Sequence, residues 1–576
     1  MEAMNDKAIG NWLRLLKTEA LCLPRFQRKQ VWKNKNICQF LKTLLLDGET
    51  PVGVFLVLST EPSKPAFPYP RTISGSIPRP GACNLLLLDG QQRLSALWKV
   101  FNDENEDYRY YIQFNDNFEI EGVKAIRKHT KIEEKRNQNP TGQYKNRWFP
   151  ARLLNPLDDS EKLNTWLRQL DLEKLKLSNS KNISRLITST RKVFAEESKN
   201  KKVIPYFLLR NNIERKKAIN IYQTINTNLV KLSDHYLAVA EMEKATGKSL
   251  YDMADKLIRQ VSSVKCLETD EIGELILKIS CVLQNKIPSG QNYRKLDFEK
   301  ILRDKQRIFK GVAWAVEKLD EINVWYGNQL PSVIPLRVLP ALCEDMPTSG
   351  RKLADANRIV IKYLWHAFLT NRYDVQANDR LKKDCDDLKD YLIGNKKEDN
   401  IRIFNKKEYE PPSLVELKDA GWPQTTNRLP RSILLVCCQD GAKALESEER
   451  LTKQNFKKRQ KHHIFPKNKL VHTVGHAGYY ALNCMLIPGD ANNNYDNHYP
   501  GDYIQQAIDQ LGNVGANRLI LDLLGTHLIP NSLAQNLLKA NERELTSKKK
   551  TKESFDGFMD IRAKTVLKKI NRLLAG

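Results

Sequence analysis

Two histidines stand side by side at positions 462 and 463, inside the stretch KHHIFPKNKL that runs from Lys461 to Leu470. Imidazole binds metal ions and exchanges protons near neutral pH. On a strand, successive side chains alternate faces, so adjacent histidines take different jobs: one can bind a metal while the other faces a substrate. Downstream, ALNCMLIPGDANNNYDNHYPGDYI supplies Asn483 and Asn492, followed by Asn493, Asn494, Asn497 and His498. An asparagine oxygen suits a hard cation such as Mg²⁺. Six of the nine histidines of the chain fall between positions 462 and 527. Taken singly, such residues cap strands and make turns. The surroundings favour chemistry: Lys453, Lys457, Lys458, Arg459, Lys461, Lys467 and Lys469 lie between Thr452 and Leu470 with no acidic residue among them. A base for water, a cation for the developing phosphorane charge and positive side chains for the backbone are what metal-assisted phosphodiester hydrolysis requires.

The order His-His, Asn, Asn resembles the ββα-metal, or HNH, nuclease finger. In that finger a hairpin carries the first pair and a helix supplies the last ligand. The resemblance implies His462 as metal ligand, His463 as general base, Asn483 as the residue that ties the hairpin loop, and Asn492 as the second protein ligand to Mg²⁺ or Mn²⁺. Asn493, Asn494, Asn497 and His498 compete for the last role. Lys457, Lys458, Arg459, Lys461, Lys467 and Lys469 would hold DNA.

A second constellation lies near the other end. LLLLDGQQRLSALWKVF reads as a buried strand, a tight turn at Asp89-Gly90-Gln91-Gln92-Arg93, and a helix with Leu94, Leu97, Trp98 and Phe101 at helical spacing. Gly90 lets the backbone approach a ligand, the helix start presents free N–H groups, and Arg93 could fork onto phosphate oxygens. Asp89 could hold a metal or cap the helix. Upstream, LPRFQRKQVW from Leu23 to Trp32 would place Arg25 and Gln27 on one strand face and Arg28 on the other.

PRFQR, then PVG at Pro51 to Gly53, then DGQQR, together resemble the ParB/sulfiredoxin-like domain of GmrSD-type modification-dependent restriction endonucleases. The similarity continues through AINIYQTINTNLVKLSDHYL (Ala218 to Leu237, with Asn228 where a glycine is usual), FLTNRYDVQANDRL and NRLPRSILLVCCQDGAKAL, and into HHIFP. It implies that Asp89, Gly90, Gln91, Gln92, Arg93, Arg25, Gln27 and Arg28 bind a nucleoside triphosphate, whose hydrolysis regulates cleavage of DNA, often modified phage DNA, by the C-terminal domain.

These residues must be positioned by elements that the rest of the chain supplies. A length of 576 residues suggests about three domains at the usual 100–200 residues each. The formal charge of +26, from 94 basic and 68 acidic residues, points to a polyanionic partner. The expected architecture is multidomain α+β. Residues 1–124 form an α/β nucleotide-binding domain, 125–202 a basic insertion or arm, 203–445 a helical linker domain and 446–576 the nuclease domain. NRIVIKYLWHAFLTNRY puts Ile359, Tyr363 and Ala367 on one helical face, and VGVFLVL and NLLLLDG read as strands with a six-proline surface loop between them. No apolar run reaches the ~18 residues of a membrane span, and no secretory signal opens the chain. Ten scattered cysteines without a CxxC pair suggest reduced thiols in a cytoplasm. A homo-oligomer or partner proteins of a defence system are compatible with this reading. A nucleotide-gated DNA-binding switch without cleavage is the rival of a different class, and RNA is the alternative substrate.

Overall fold

A computed structural model describes residues 4–24, 32–46, 52–61, 67, 70–105, 107–128, 139–170, 177–196, 198, 201–210, 234–267, 272–424, 427–474, 478–495, 497–512 and 514–576. Arg25, Gln27 and Arg28 lie outside these residues. The chain divides into two compact units, Met1–Ser249 and Leu250–Gly576.

In the first unit, β1 (Asn5–Ala8), α1 (Ile9–Lys17), β2 (Leu21–Pro24), α2 (Asn34–Leu46), β3 (Phe55–Ser59), β4 (Pro70–Arg71), β5 (Leu85–Asp89) and α3 (Gln91–Phe101) follow one another. Then come β6 (Tyr108–Phe114), β7 (Ile120–Arg127), β8 (Trp148–Pro150), α4 (Glu161–Arg168), α5 (Leu177–Lys192) and β9 (Val203–Leu209). A mixed six-stranded sheet has the order β1-β9-β3-β5-β2-β4, and β7-β6-β8 form a separate antiparallel sheet. The continuous apolar runs of β3 and β5 are buried because the sheet is covered there. Trp12 of α1 meets Phe55 and Tyr206 edge-on at ring distances of 5.2 and 5.1 Å, pinning the helix across β3 and β9.

Two expectations about organisation meet a different arrangement. The stretch that opens the region expected to be helical, Val203–Leu209, is a strand paired parallel with β3 and antiparallel with β1. The segment expected to be a basic arm contributes Phe149, Leu153, Ile183, Ile187 and Phe194 to the core of the first unit. Composition misled here because lysines lie on the outer faces of helices whose inner faces are apolar.

The second unit is largely helical. α6 (Gly350–Leu369) buries Ile359, Tyr363 and Ala367 completely, on the face expected from their spacing. α7 (Arg428–Cys437) precedes β10 (Arg459–His463) and β11 (Cys484–Pro488), which form an antiparallel hairpin pairing His462 with Met485 and His463 with Cys484. α8 (Gly489–Tyr495) follows at once, and α9 (Lys548–Ala575) closes the chain. Arg562 of α9 is fully buried; it donates to the carbonyl of Leu482, just before the hairpin's second strand, and to that of His527 at 3.1 Å. His527 in turn hydrogen-bonds the Lys443 carbonyl at 2.8 Å. All ten cysteines are free thiols. Among the described residues no helix is long and apolar enough to cross a membrane.

Arg562→Met should therefore lower unfolding free energy by roughly 2–5 kcal/mol, because two buried carbonyls lose their charged donor; chemical denaturation measures it. Burial pushes the His527 pKa down to about 4, below its ordinary 6.5. The folded protein then binds fewer protons than the unfolded chain between these values. Its contribution is present above pH 6.5 and is lost as pH falls toward about 4. Thermal melts across that window should show a decline that His527→Gln reduces.

Candidate functional site

The hairpin separates the two histidines as strand geometry demands. His462 is 5% exposed and turns toward α8, where its Nδ1 lies 2.9 Å from Asn492 Oδ1. The rings of Tyr495 and Tyr503 stand edge-on to it at 5.9 and 5.2 Å. Gln460, two residues earlier and so on the same strand face, accepts from Asn492 Nδ2 at 2.8 Å, which directs Asn492 Oδ1 at the imidazole. His463 is half-buried on the other face, stacked on Trp422 with ring centroids 3.9 Å apart and planes 11° from parallel. Tyr479 meets the edges of both rings at 5.5 and 6.1 Å.

Asn483 is fully buried where the loop returns to β11. Its Oδ1 accepts from Phe465 N at 2.8 Å, while Nδ2 donates to Phe465 O at 3.0 Å and Gly478 O at 3.2 Å. One amide thus closes both backbone groups of Phe465, two residues after His463. Leucine or alanine there would orphan them. The adjoining Ala420–Trp422 segment is held to the same loop by Ala481 N donating to Ala420 O at 2.9 Å and by a bridge between Gly421 and Tyr480.

The other amides separate. Asn493 and Asn494 are exposed on α8, and Asn497 takes a left-handed backbone (φ 65°) and accepts from Asn468 at 2.7 Å. His498 is exposed. The facing imidazole nitrogen and amide oxygen of His462 and Asn492 fit a divalent cation that takes mixed N and O donors. Both donors are neutral, so a bound cation keeps its charge for phosphate oxygens and water. Among the described residues no cluster of three or more His, Cys, Asp or Glu side chains offers another metal site.

The basic side chains divide. Lys457 and Lys458 are exposed, Lys457 over the Tyr326 ring at 5.1 Å. Lys467 lies over Tyr479 at 4.6 Å, and Lys469 over Tyr499 at 5.0 Å while also pairing with Glu542. Lys461 donates to the Pro423 carbonyl, and burial lowers its pKa. Arg459, expected to hold DNA, is corrected: its side chain is 1% exposed and donates to the backbone and carboxylate of Glu449. Parity alone does not bury it, since Lys461 shares its strand face and stays exposed; the ion pair with Glu449 at the start of β10 takes it out of solvent.

The N-terminal turn also differs from its sequence reading. Gly90 has φ 102°, and a β-carbon there would stand 2.1 Å from Phe55 Cδ1, so only glycine fits between β5 and α3. Having no side chain, Gly90 leaves the first-turn N–H groups of α3 uncapped. Arg93 was expected to grip phosphate. Instead its guanidinium donates to Val52 O at 2.8 Å, Val54 O at 3.1 Å and Asp89 Oδ2 at 3.2 Å, as a long helical side chain leaning back toward the N-terminus does. Gly53 (φ 81°) makes this possible, since a β-carbon there would fall 2.0 Å from Arg93 Nη1. Gln92 accepts from Trp32 N at 3.2 Å, and Gln91 is buried. Asp89 and Arg93 therefore build the turn.

Sequence reasoning missed Gln460, although its two-residue offset from His462 was a usable signal. Trp422 was also missed; it lies far from His463 in the chain, and no local pattern could have joined them.

Residues 9–242 match the family model described as GmrSD restriction endonuclease, N-terminal domain. Over 617 aligned residues the chain is 23% identical to an uncharacterised protein of Methanocaldococcus jannaschii, with 96% of each chain covered.

Arg93→Met should destabilise the first unit by roughly 2–5 kcal/mol, since it orphans two carbonyls and a half-buried carboxylate. Denaturant unfolding reads this directly, and an unchanged midpoint would remove the structural role given to Arg93.

Proposed function

We propose that this chain, which through residues 9–242 belongs to the GmrSD-type restriction endonucleases, is a metal-dependent DNA endonuclease or nickase of the HNH type. It would act in a bacterial anti-phage restriction system that recognises modified DNA. The observation that supports the cutting site best is the facing of His462 Nδ1 and Asn492 Oδ1 at 2.9 Å, on a hairpin and helix whose loop Asn483 closes. His462 and Asn492 would hold Mg²⁺ or Mn²⁺, and a cation there would neutralise charge on the scissile phosphate and leaving oxygen. His463, on the opposite strand face, takes the proton of the attacking water. Stacking on Trp422 fixes its ring plane, so the imidazole turns little between accepting the proton and releasing it. Lys457 and Lys458 bear on the phosphate backbone as exposed cations and Lys467 as a partly exposed one, while Lys461 and Lys469 are already engaged within the unit.

Nucleotide regulation is assigned to the turn of the first unit. The uncapped start of α3 after Gly90 suits an anionic phosphate. The backbone N–H groups there supply the contact, and the Asp89–Arg93 pair shapes the turn that offers them. Arg25, Gln27 and Arg28 complete the nucleotide site on the family resemblance. Asp89, Gly90, Gln91 and Gln92 would belong to the same site.

His463→Ala should abolish nicking of supercoiled plasmid with Mg²⁺ or Mn²⁺, a loss of at least about 100-fold for a removed general base, while nucleoside triphosphate hydrolysis persists. Undiminished nicking by that variant would sink the catalytic assignment.

A further inference from the structure

We propose that an open groove between α4 and α5 in the first unit is a docking surface for the phosphodiester backbone of duplex DNA, separate from the cutting site. The groove has a volume of about 710 Å³ and is lined by Arg168 of α4 and by Lys181, Ser184, Arg185, Thr188 and Lys192 of α5, with Ser189 and Leu167 beside them. On α5 these residues recur at three- and four-residue spacing, so cations and hydroxyls share one stripe. Residues two apart on a helix face nearly opposite ways. Ile183 and Ile187, both 0% exposed, accordingly fill the core while Lys181 and Arg185 face solvent. The stripe is thus carried on an element anchored on its inner face by Ile183 and Ile187.

Charge complementarity selects the occupant. Among the described residues no carboxylate lines the groove. Arg168 bonds Glu161 at 3.1 Å, a surface pair of little strength. Among the described residues Lys181, Arg185 and Lys192 form no ion pair. These three span about 16 Å along the helix at 1.5 Å per residue, close to the rise of roughly five phosphates of one strand at 3.4 Å each. Hydroxyls between them can donate to phosphate oxygens, a mixture usual where proteins grip backbone without reading bases. An acidic protein surface would want apolar anchors as well, and among the described residues the groove offers only Leu167.

This proposal rests on the reading of the chain as a DNA-cutting protein. In the full chain, the triple substitution Lys181→Glu, Arg185→Glu and Lys192→Glu should weaken binding of a short DNA duplex at least about tenfold by fluorescence anisotropy. It should also flatten the slope of log affinity against log salt by about 2.7, at 0.9 per phosphate contact. Lys181→Arg with Lys192→Arg should retain both. Unchanged affinity and slope in a triple variant that melts normally, alongside a wild type that binds and nicks DNA, would overturn the groove and leave the nuclease reading standing. A wild type that neither binds nor nicks DNA would overturn both. Loss of binding to anionic vesicles or to duplex RNA, with DNA binding intact, would assign the groove to another polyanion and overturn it for DNA. Should charge reversal unfold the chain, Arg185→Gln with Lys192→Gln makes the same comparison with smaller shifts.

Discussion

Alternation along one five-residue strand governs the second unit. Because β10 turns successive side chains to opposite faces, Arg459 goes inward to Glu449, His462 goes toward Asn492 and His463 goes toward Trp422. A register slip of one residue would exchange all three environments at once. What prevents the slip is polar closure at the end of the hairpin. Asn483 satisfies both backbone groups of Phe465, and Arg562 holds the carbonyl of Leu482 beside it. A buried amide and the buried terminal nitrogens of a guanidinium are costly without partners, and the partners that Asn483 and Arg562 find are supplied in this register. The strand faces on which the two imidazoles lie are therefore set by contacts that neither imidazole makes.

The first unit uses the same device in a different place. Its turn at Gly90 needs a left-handed backbone and a gap in front of Phe55, while the Val52–Val54 strand entry needs its carbonyls held. Arg93 serves both ends, tying Asp89 at the end of β5 to the approach of β3. An arginine that looks from sequence like a ligand-binding fork is here the staple that brings a helix start and two strand ends together. Its desolvation, which lowers its pKa relative to a free guanidinium, is offset by three oxygen acceptors. In both units a side chain that could serve chemistry serves the backbone beside it.

How far these features could be read from the sequence depended on whether the cause was local. The strands at Phe55–Ser59 and Leu85–Asp89, the helix at Gln91–Phe101, and the buried face of Ile359, Tyr363 and Ala367 follow from periodicity and turn residues. So does the separation of His462 from His463. The place of Val203–Leu209 in the first sheet does not, because a strand joining β1 and β3 across nearly the whole unit leaves no mark in its own neighbourhood. Trp422 beneath His463 is hidden for the same reason. Arg93 and Arg459 show a second kind of failure. Residue type records what a guanidinium can bind, whereas burial decides which oxygens it reaches, and both found carbonyls and carboxylates of their own chain.

That distinction also bears on the net charge of +26. Had the basic residues clustered near the histidines all faced outward, the hairpin alone would carry a strongly positive field. Arg459 is paired with Glu449 and Lys469 with Glu542, so the field there rests on fewer uncompensated cations than the sequence run implies. Among the described residues, cations without an ion pair recur along α5, where Ile183 and Ile187 anchor the apolar face and no carboxylate lines the groove. Long-range attraction of a polyanion depends on such unneutralised charge and is screened within a Debye length of about 8–10 Å at physiological salt. Where a carboxylate already pairs a cation, as Glu449 and Glu542 do beside the histidines, that attraction is weaker. A ligand with regularly spaced phosphates, as duplex DNA has, gains most from a stripe whose cations are left unpaired.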